Sequence, residues 1–318
     1  MLAAVRASLR ISTFLVPISA CLTPAMAVAA SLSWTGAVNS DWNNAGNWSP
    51  ALTPGASDSV VIDGGALPAE VLDGGPAAAG DITVGLDNNG ALTVLGTLQS
   101  SSATLGSHAG STGVFDLTGA DGDWQNSGTL TVGDLGTGTF TITAGARYEG
   151  SGPVYLGASA GGSGSLIVNG ASTFTLSGAQ PFFIGYDGQG SFELTDAATA
   201  STGAATLGFG AGSSSTASIS GSGTSWTIDG DLTVGGDGTG TMTVSTGATL
   251  SDNNATIGLG NGTGTSSVTI SGLGSQWTNS GLFVVGASGN GALSIFSAAT
   301  VSSDSAMIGR FASGSVTV

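Results

Sequence analysis

The sequence has 318 residues, of which 56 are glycine and only 8% are charged, and its formal net charge is −16. With four Lys and Arg residues against 20 Asp and Glu residues, it lacks a basic surface, which excludes nucleic acids as partners and disfavours anionic membrane surfaces. Because 40% of the residues are hydrophobic, the low charge does not indicate disorder, and the chain can form an apolar core.

The first 30 residues have the pattern of a cleaved secretory signal. Arg6 and Arg10 give a basic start, an apolar run covers residues 11–22, and small residues follow at 25–27. The apolar run is shorter than the roughly 20 residues that span a membrane. We therefore expect residues 1–30 to be a signal peptide and the mature protein to be exported.

The single cysteine, Cys21, lies in this leader, so the mature chain is expected to contain no disulfide. The segment ISAC resembles a bacterial lipobox, in which Cys21 would be lipidated. The apolar sequence LTPAMAVAA that follows differs from the polar tether of a lipoprotein. We favour Cys21 as an ordinary residue of the apolar run.

Trp34, Trp42 and Trp48 lie within fifteen residues of one another in the segment SWTGAVNSDWNNAGNW. This segment is outside the repeat of the later chain and comes just before the β-like run SVVIDGG. Repeat domains need a cap over the open end of the core and over the first strand edges. We interpret residues 31–80 as the cap and first coils. The alternative is that the three rings form a carbohydrate-binding cluster.

Residues 81–318 form a tandem repeat. Each unit ends with an apolar residue followed by glycine, at Gly85, Gly106, Gly133, Gly157, Gly185, Gly208, Gly235, Gly258, Gly286 and Gly309. Short units of 21–24 residues alternate with long units of 27–28 residues, so the full period is a pair of units. A period of this length is typical of solenoids and propellers.

Each unit contains three short β-like runs separated by turns of Gly, Ser, Asn and Asp, as in TMTV, ATLS and ATIG. The first run carries alternating apolar pairs, namely Leu92/Val94, Phe140/Ile142, Leu166/Val168, Phe192/Leu194, Met242/Val244, Val268/Ile270, Leu293/Ile295 and Val316/Val318. This pattern predicts an all-β parallel β-helix, a solenoid of about ten triangular coils in which each pair stacks on the next. A β-propeller also fits the full period, but the visible half-period and the very short runs favour the solenoid.

Three tryptophans occur only in long units, nine residues before the closing glycine. They are Trp124 before Gly133, Trp226 before Gly235 and Trp277 before Gly286. The same count gives Thr97, Tyr148, Thr199, Thr249 and Thr300 in the short units, and the unit closed by Gly185 has Phe174 or Leu176 instead.

Rings two coils apart are separated by about 9.6 Å at the spacing of β-strands, which is too far for stacking. We therefore predict that Trp124, Trp226 and Trp277 fill the core between smaller residues of neighbouring coils. A row of exposed sugar-binding rings is the alternative.

Catalytic and metal-binding patterns are weak. His108 lies in a turn without a nucleophile elbow near it, and one histidine does not make a metal site. For a polysaccharide lyase or hydrolase, the best candidates are Arg147, Glu149, Glu193 and Asp196, at single occurrences in expected turns. We predict no enzyme activity, no cofactor and no metal site.

Aspartates recur in the turns after the closing glycines, at Asp87, Asp134, Asp187 and Asp237. Asp favours such turns because its side chain bonds to the local backbone. Calcium binding is the alternative, since GGDGTG is similar to calcium-binding Gly/Asp repeats, but their nine-residue period is missing.

The stretch VGGDGTGTMTVSTGATLSDNNATIGLGNGTGTSSVTISGLGSQWTNSGLFVVG resembles the roughly 50-residue repeat of autotransporter passenger domains and related exported bacterial surface proteins. The segment from WTG to DSVVIDGG is similar to the N-terminal module of that group, so the resemblance covers residues 31–318. It implies an adhesive or structural β-helix at the cell surface, outer membrane or outside the cell, with a host or matrix glycan or a surface protein as partner. It transfers no catalytic residues.

The resemblance also implies a C-terminal outer-membrane β-barrel, through which alone the chain would contact the outer membrane. The sequence ends at SGSVTV, in the middle of a unit. We therefore expect either a longer gene product or a different secretion route.

Overall fold

The computed structural model describes residues 29–260 and 264–318. This part of the chain is a parallel β-solenoid in which three sheets run along the stack of coils. A short 3-10 turn, Ala45–Asn47, is the only helical element among the described residues. The predicted all-β parallel β-helix is confirmed, with about eleven turns where the sequence predicted about ten.

Most of the predicted leader lies outside the described residues. The basic start at Arg6 and Arg10, the apolar run and Cys21 all belong to residues 1–28. The signal peptide and the lipidation of Cys21 therefore stay predictions.

Each full coil gives one strand to each sheet, in the order A, B, C. Sheet A contains Trp48–Ser49, Ser31–Trp34, Ser59–Ile62, Asp81–Val84, Ser102–Leu105, Leu130–Val132, Val154–Leu156, Phe182–Ile184, Ala205–Leu207, Leu232–Val234, Ala255–Ile257, Leu282–Val285 and Ser305–Ile308. Sheet B contains Ala69–Val71, Asn89–Val94, Thr112–Thr118, Thr137–Thr143, Ser163–Val168, Gln189–Leu194, Ser214–Ser220, Thr239–Ser245, Thr265–Ser271, Asn290–Phe296 and Gly314–Thr317. Sheet C contains Ala77–Ala78, Thr97–Ser100, Asp123–Asn126, Arg147–Gly150, Thr173–Leu176, Thr199–Thr202, Ser225–Ile228, Thr249–Asp252, Gln276–Asn279 and Thr300–Ser302.

Neighbouring coils pair residue by residue, so each inward side chain lies on the equivalent side chain of the next coil. In sheet B this column runs through Leu92, Phe115, Phe140, Leu166, Phe192, Ala217, Met242, Val268, Leu293 and Val316. The residues from Leu92 to Leu293 are buried, and burial of each large apolar side chain contributes about 1.5–3 kcal/mol. Stacking thus buries a core that no single coil could bury.

The predicted inward pairs occupy this column, and the structure adds two pairs that the sequence pattern did not identify. Phe115 with Leu117 and Ala217 with Ile219 fill the intervening coils. In the last described coil, Val316 is 37% exposed and Val318 is 93% exposed. Of the predicted Val316/Val318 pair, Val316 is thus in register with Leu293, Val318 lies beyond the last strand, and neither is buried.

The glycines that close the ten units occupy the corner between sheets A and B. All ten have φ between 61° and 80°, in the left-handed region that favours glycine. At Gly157, with φ 61°, a Cβ atom would also lie 2.1 Å from the carbonyl oxygen of Gln189 in the next coil. The repeated glycine is therefore required both by its own backbone angle and by the close approach of the neighbouring coil.

Gly157→Ala is expected to lower the free energy of unfolding by about 2–4 kcal/mol, because left-handed strain and a backbone clash act together. Gly161 is the matched control, since it has φ 92° but nothing within 4 Å of its Cβ position. Gly161→Ala should cost only about 1 kcal/mol. Denaturant unfolding of both variants measures the two changes. Equal losses of stability would show that the close approach of the next coil to Gly157 does not add to the cost.

The N-terminal segment covers the first strand edge of sheet A. Ser31–Trp34 pairs in parallel with Ser59–Ile62 and antiparallel with Trp48–Ser49. The ring of Trp48 meets those of Trp34 and Trp42 edge-on, at 5.0 Å and 4.9 Å between centroids. This arrangement ends the stack with a strand that does not continue the parallel coil pattern.

Candidate functional site

The tryptophans of the repeat are interior residues. Trp124 and Trp226 are fully buried and Trp277 is 1% exposed. They stand in the inward column of sheet C, which reads Leu98, Trp124, Tyr148, Phe174, Ala200, Trp226, Leu250, Trp277 and Val301. The rings therefore offer no surface to a ligand, and Phe174 rather than Leu176 takes the tryptophan position in its coil.

The predicted threonine neighbours of these rings are wrong. Trp226 lies between Ala200 and Leu250, whereas the expected Thr199 and Thr249 point outward one position earlier. The inward position of sheet C lies eight residues before the closing glycine in those two short units, against nine in the long units that carry a tryptophan. Counting back a fixed nine residues therefore slips by one, and a slip of one residue exchanges the two faces of a strand.

The same slip separates the predicted Thr97 and Thr300 from the true neighbours Leu98 and Val301. Only Tyr148 was placed correctly, because its unit has nine residues before Gly157. The residues of neighbouring coils that pack against a tryptophan are also not always small, contrary to the prediction. Trp124 meets Phe140 and Tyr148 of the next coil edge-on, at 5.2 Å and 5.0 Å between centroids.

Each indole N–H donates to a side chain of the preceding coil. The distances are 2.9 Å from Trp124 Nε1 to Ser100 Oγ, 3.1 Å from Trp226 Nε1 to Thr202 Oγ1 and 2.8 Å from Trp277 Nε1 to Asp252 Oδ2. Buried N–H groups need such partners, because leaving one unpaired costs about 1–3 kcal/mol. In the sequence, these hydrogen bonds are indicated by a polar residue that lies 24 or 25 residues before each tryptophan.

Asp252 is an unusual member of this set. Its side chain accepts hydrogen bonds from Asn279 and Trp277, but the residue is only 4% exposed. Burial raises the pKa of Asp252 to about 6, against the lowering effect of those two hydrogen bonds. A carboxyl group thus titrates inside a core where the corresponding Ser100 and Thr202 are neutral.

The N-terminal tryptophans are also buried. Trp34, Trp42 and Trp48 are 5%, 0% and 3% exposed. The indole N–H of Trp34 donates to the carbonyl of Leu67, and that of Trp48 donates to the carbonyl of Trp42. No ring face of the three is free to stack on a sugar, so the cluster proposed for carbohydrate binding packs instead against the end of the solenoid.

The residues considered for catalysis are not gathered at one place. Arg147 and Glu149 form an ion pair on the outer side of sheet C. Glu193 lies on the outer side of sheet B, and Asp196 lies in the turn that follows that strand. Only Arg147 and Glu149 are therefore brought together.

A polar groove of about 400 Å³ lies beside this ion pair. Its lining combines Gln99, Gln125 and Glu149 from successive coils with the serines of the adjoining corner. The side-chain oxygen of Gln125 accepts a hydrogen bond from Gln99, and its amide group donates one to Asp123. Most of the polar groups on this wall thus bond along the sheet.

His108 makes an exposed contact with a carboxylate. Its Nδ1 lies 2.7 Å from Asp87 Oδ1, and the hydroxyl of Ser111 donates to the backbone carbonyl of His108 rather than to the ring. The three residues therefore do not form a catalytic triad. In residues 29–260 and 264–318, no group of three His, Cys, Asp or Glu side chains could hold a metal ion.

A cluster of four aromatic side chains on the outside of the solenoid was not identified from the sequence. We call Tyr155, Phe183, Tyr186 and Phe209 the aromatic patch. The first two lie on the outer side of sheet A, and the other two lie at the following corner. The signal was the alternation in VYL and FFI, where an aromatic residue stands at the outward position between two inward apolar residues.

Comparison with known protein families, with curated proteins and with solved structures gave no match. Among the described residues there is no helix whose length and apolar character would let it cross a membrane.

Proposed function

We propose that this protein is an exported β-helical passenger of the bacterial cell surface with a structural or adhesive role. The observation that carries the proposal is the aromatic patch on the outer face of a continuously stacked solenoid. Ten strand spacings along sheet B correspond to a rod about 50 Å long. Such a rod holds an exposed group of side chains at a distance from its point of attachment.

Three further features support the proposal. The leader has the pattern of a secretory signal, the repeat resembles that of autotransporter passengers, and the net charge of −16 keeps the surface acidic. An acidic surface favours uncharged or cationic partners such as a matrix glycan or a surface protein, since anionic polymers are repelled.

Export is tested by expressing the full chain in a Gram-negative host and sequencing the N-terminus of the mature protein. We expect a chain that has lost about its first 30 residues and is found outside the cytoplasm. The matched control is the same chain starting at residue 31. Retention of the uncleaved full chain in the cytoplasm would contradict the proposed function.

A further inference from the structure

The four rings of the aromatic patch form two flat stacks that lock against each other. Tyr155 stacks on Phe183 at 5.2 Å with an interplanar angle of 8°, and Tyr186 stacks on Phe209 at 4.7 Å with an angle of 9°. The stacks meet edge-on, with Tyr186 at 5.1 Å from both Tyr155 and Phe183. Rings held in this way lose little further freedom when a ligand binds.

The four rings of the patch are not part of the hydrophobic core. Phe209 is 42% exposed, and the other three rings are half-buried by one another on the outer side of the solenoid. The outward positions that pair with Tyr155 and Phe183 on either side are Thr131 and Thr206. The flanking coils thus form the same sheet with threonine at these positions, and exposed aromatic patches mark interaction sites.

A concave surface of about 220 Å³ continues from Phe209 along the next coils. Thr206 and Thr233 line it with hydroxyl groups, Asp237 adds a carboxylate and Leu259 adds an apolar side. The Asp187 carboxylate lies next to Gly210, which is itself a residue of this lining. The ring of Phe209 therefore lies beside hydroxyl groups and the carboxylate of Asp237 on one concave surface.

This combination fits the chemistry of a neutral sugar. A pyranose ring has an apolar C–H face that packs on an aromatic ring and a rim of hydroxyls that donate to carboxylates and pair with threonine hydroxyls. The lining carries the carboxylate of Asp237 and no basic side chain, so an anionic polymer is disfavoured. A second copy of the chain would require about 800 Å² of matching surface per partner, whereas a concave surface of 220 Å³ has the size of a single sugar ring.

We propose that the aromatic patch, with Thr206, Thr233 and Asp237, binds a neutral polysaccharide by stacking a pyranose ring on Phe209. The site rests on the proposed adhesive function and gives it a ligand class. Its position on sheet A is on the outside of the rod, distant in sequence from the N-terminal tryptophans.

The test is retention of the purified mature chain on microcrystalline cellulose and on chitin, with polygalacturonate as the anionic comparison. The wild-type chain should bind at least one of the two neutral polymers and should not bind polygalacturonate. Phe209→Ala should weaken binding at least tenfold, and Phe209→Trp should retain it. Phe311, which is 76% exposed outside the patch, is the matched control, and Phe311→Ala should bind like the wild type.

The double variant Tyr155→Thr with Phe183→Thr removes half of the patch and restores the residue that flanking coils carry, so it should fold and bind at least tenfold more weakly. No retention of the wild type on either neutral polymer, or equal retention of Phe209→Ala, would overturn the site. A concentration-dependent dimer that Phe209→Ala abolishes would instead identify a self-interface. These results are independent of export, so failure of the site and failure of the proposed function can be distinguished.

Discussion

Trp226→Ala is expected to lower the free energy of unfolding by about 3–5 kcal/mol, the cost of truncating a large buried aromatic residue. Trp226 is fully buried and meets Phe192 edge-on at 5.0 Å between centroids. Its neighbours in the column are Ala200 and Leu250, and the corresponding sheet B residue of its own coil is Ala217. Ala200 and Ala217, which lie on two sides of the ring, are too small to fill the space that the indole would leave.

Denaturant unfolding of the wild type and of the Trp226→Ala variant measures the loss. Phe209→Ala is the control for removing an aromatic ring from the surface, and it should change stability by less than about 1 kcal/mol. Thr202→Val keeps the shape but leaves the indole N–H without its acceptor, and it should cost about 1–3 kcal/mol. A loss for Trp226→Ala no larger than that for Phe209→Ala would mean that Trp226 is not a core residue.

The coil architecture follows from the sequence because two simple rules act in every unit. Side chains alternate across a strand, which assigns Leu166 and Val168 to one face. The sharp corner needs a left-handed backbone, which assigns Gly157 to the end of the unit. Both rules are local, so a single unit suffices to predict the coil, and repetition then predicts the stack.

Register across a corner of variable length could not be predicted in this way. The inward position of sheet C lies eight, nine or eleven residues before the closing glycine, at Leu98, Trp124 and Phe174, because the corner between sheets C and A varies in length. The outward-facing Thr97 was therefore mistaken for an inward residue.

The candidate site depends on the outward face, where alternation alone gives little information. The sequence did not identify Tyr155 and Phe183 as surface residues, because an aromatic residue in a β-like run is first assigned to the core. Their clustering with Tyr186 and Phe209 depends on stacking of coils about 25 residues apart in sequence. Conversely, Trp34, Trp42 and Trp48 are close in sequence but pack inward, so proximity along the chain did not indicate a surface.

Asp252→Ser is expected to remove a pH-dependent loss of stability. The pKa of Asp252 is about 6 in the folded protein, above its ordinary value of 3.8, because the carboxyl is buried. Because the pKa is higher in the folded state, the stability that Asp252 contributes is fully present below pH 3.8 and is lost as the pH rises through about 6. At 1.36 kcal/mol per unit of pKa, the wild type should lose about 3 kcal/mol through this group between pH 3.8 and pH 8.

Serine is the suitable replacement because the protein already contains the neutral arrangement. Ser100 accepts the indole N–H of Trp124 and donates to Asn126, at the positions that Asp252, Trp277 and Asn279 occupy later in the repeat. Asp252→Ser should therefore fold in the same way, with a stability advantage over the wild type that grows from pH 4 to pH 8.

Other carboxylates also titrate, so the measurement must be a difference between the two chains. Partial burial raises the pKa of Asp63, but hydrogen bonds from Asn88, Asp87 and Leu86 outweigh it and hold that pKa below its ordinary value. The stability that Asp63 contributes is present at neutral pH and lost in acid, opposite in sign to that of Asp252. Urea unfolding of both chains from pH 4 to pH 8 cancels the Asp63 contribution, since the two sites share no partner. A stability difference that stays constant across this range would show that the carboxyl of Asp252 keeps an ordinary pKa in the folded protein.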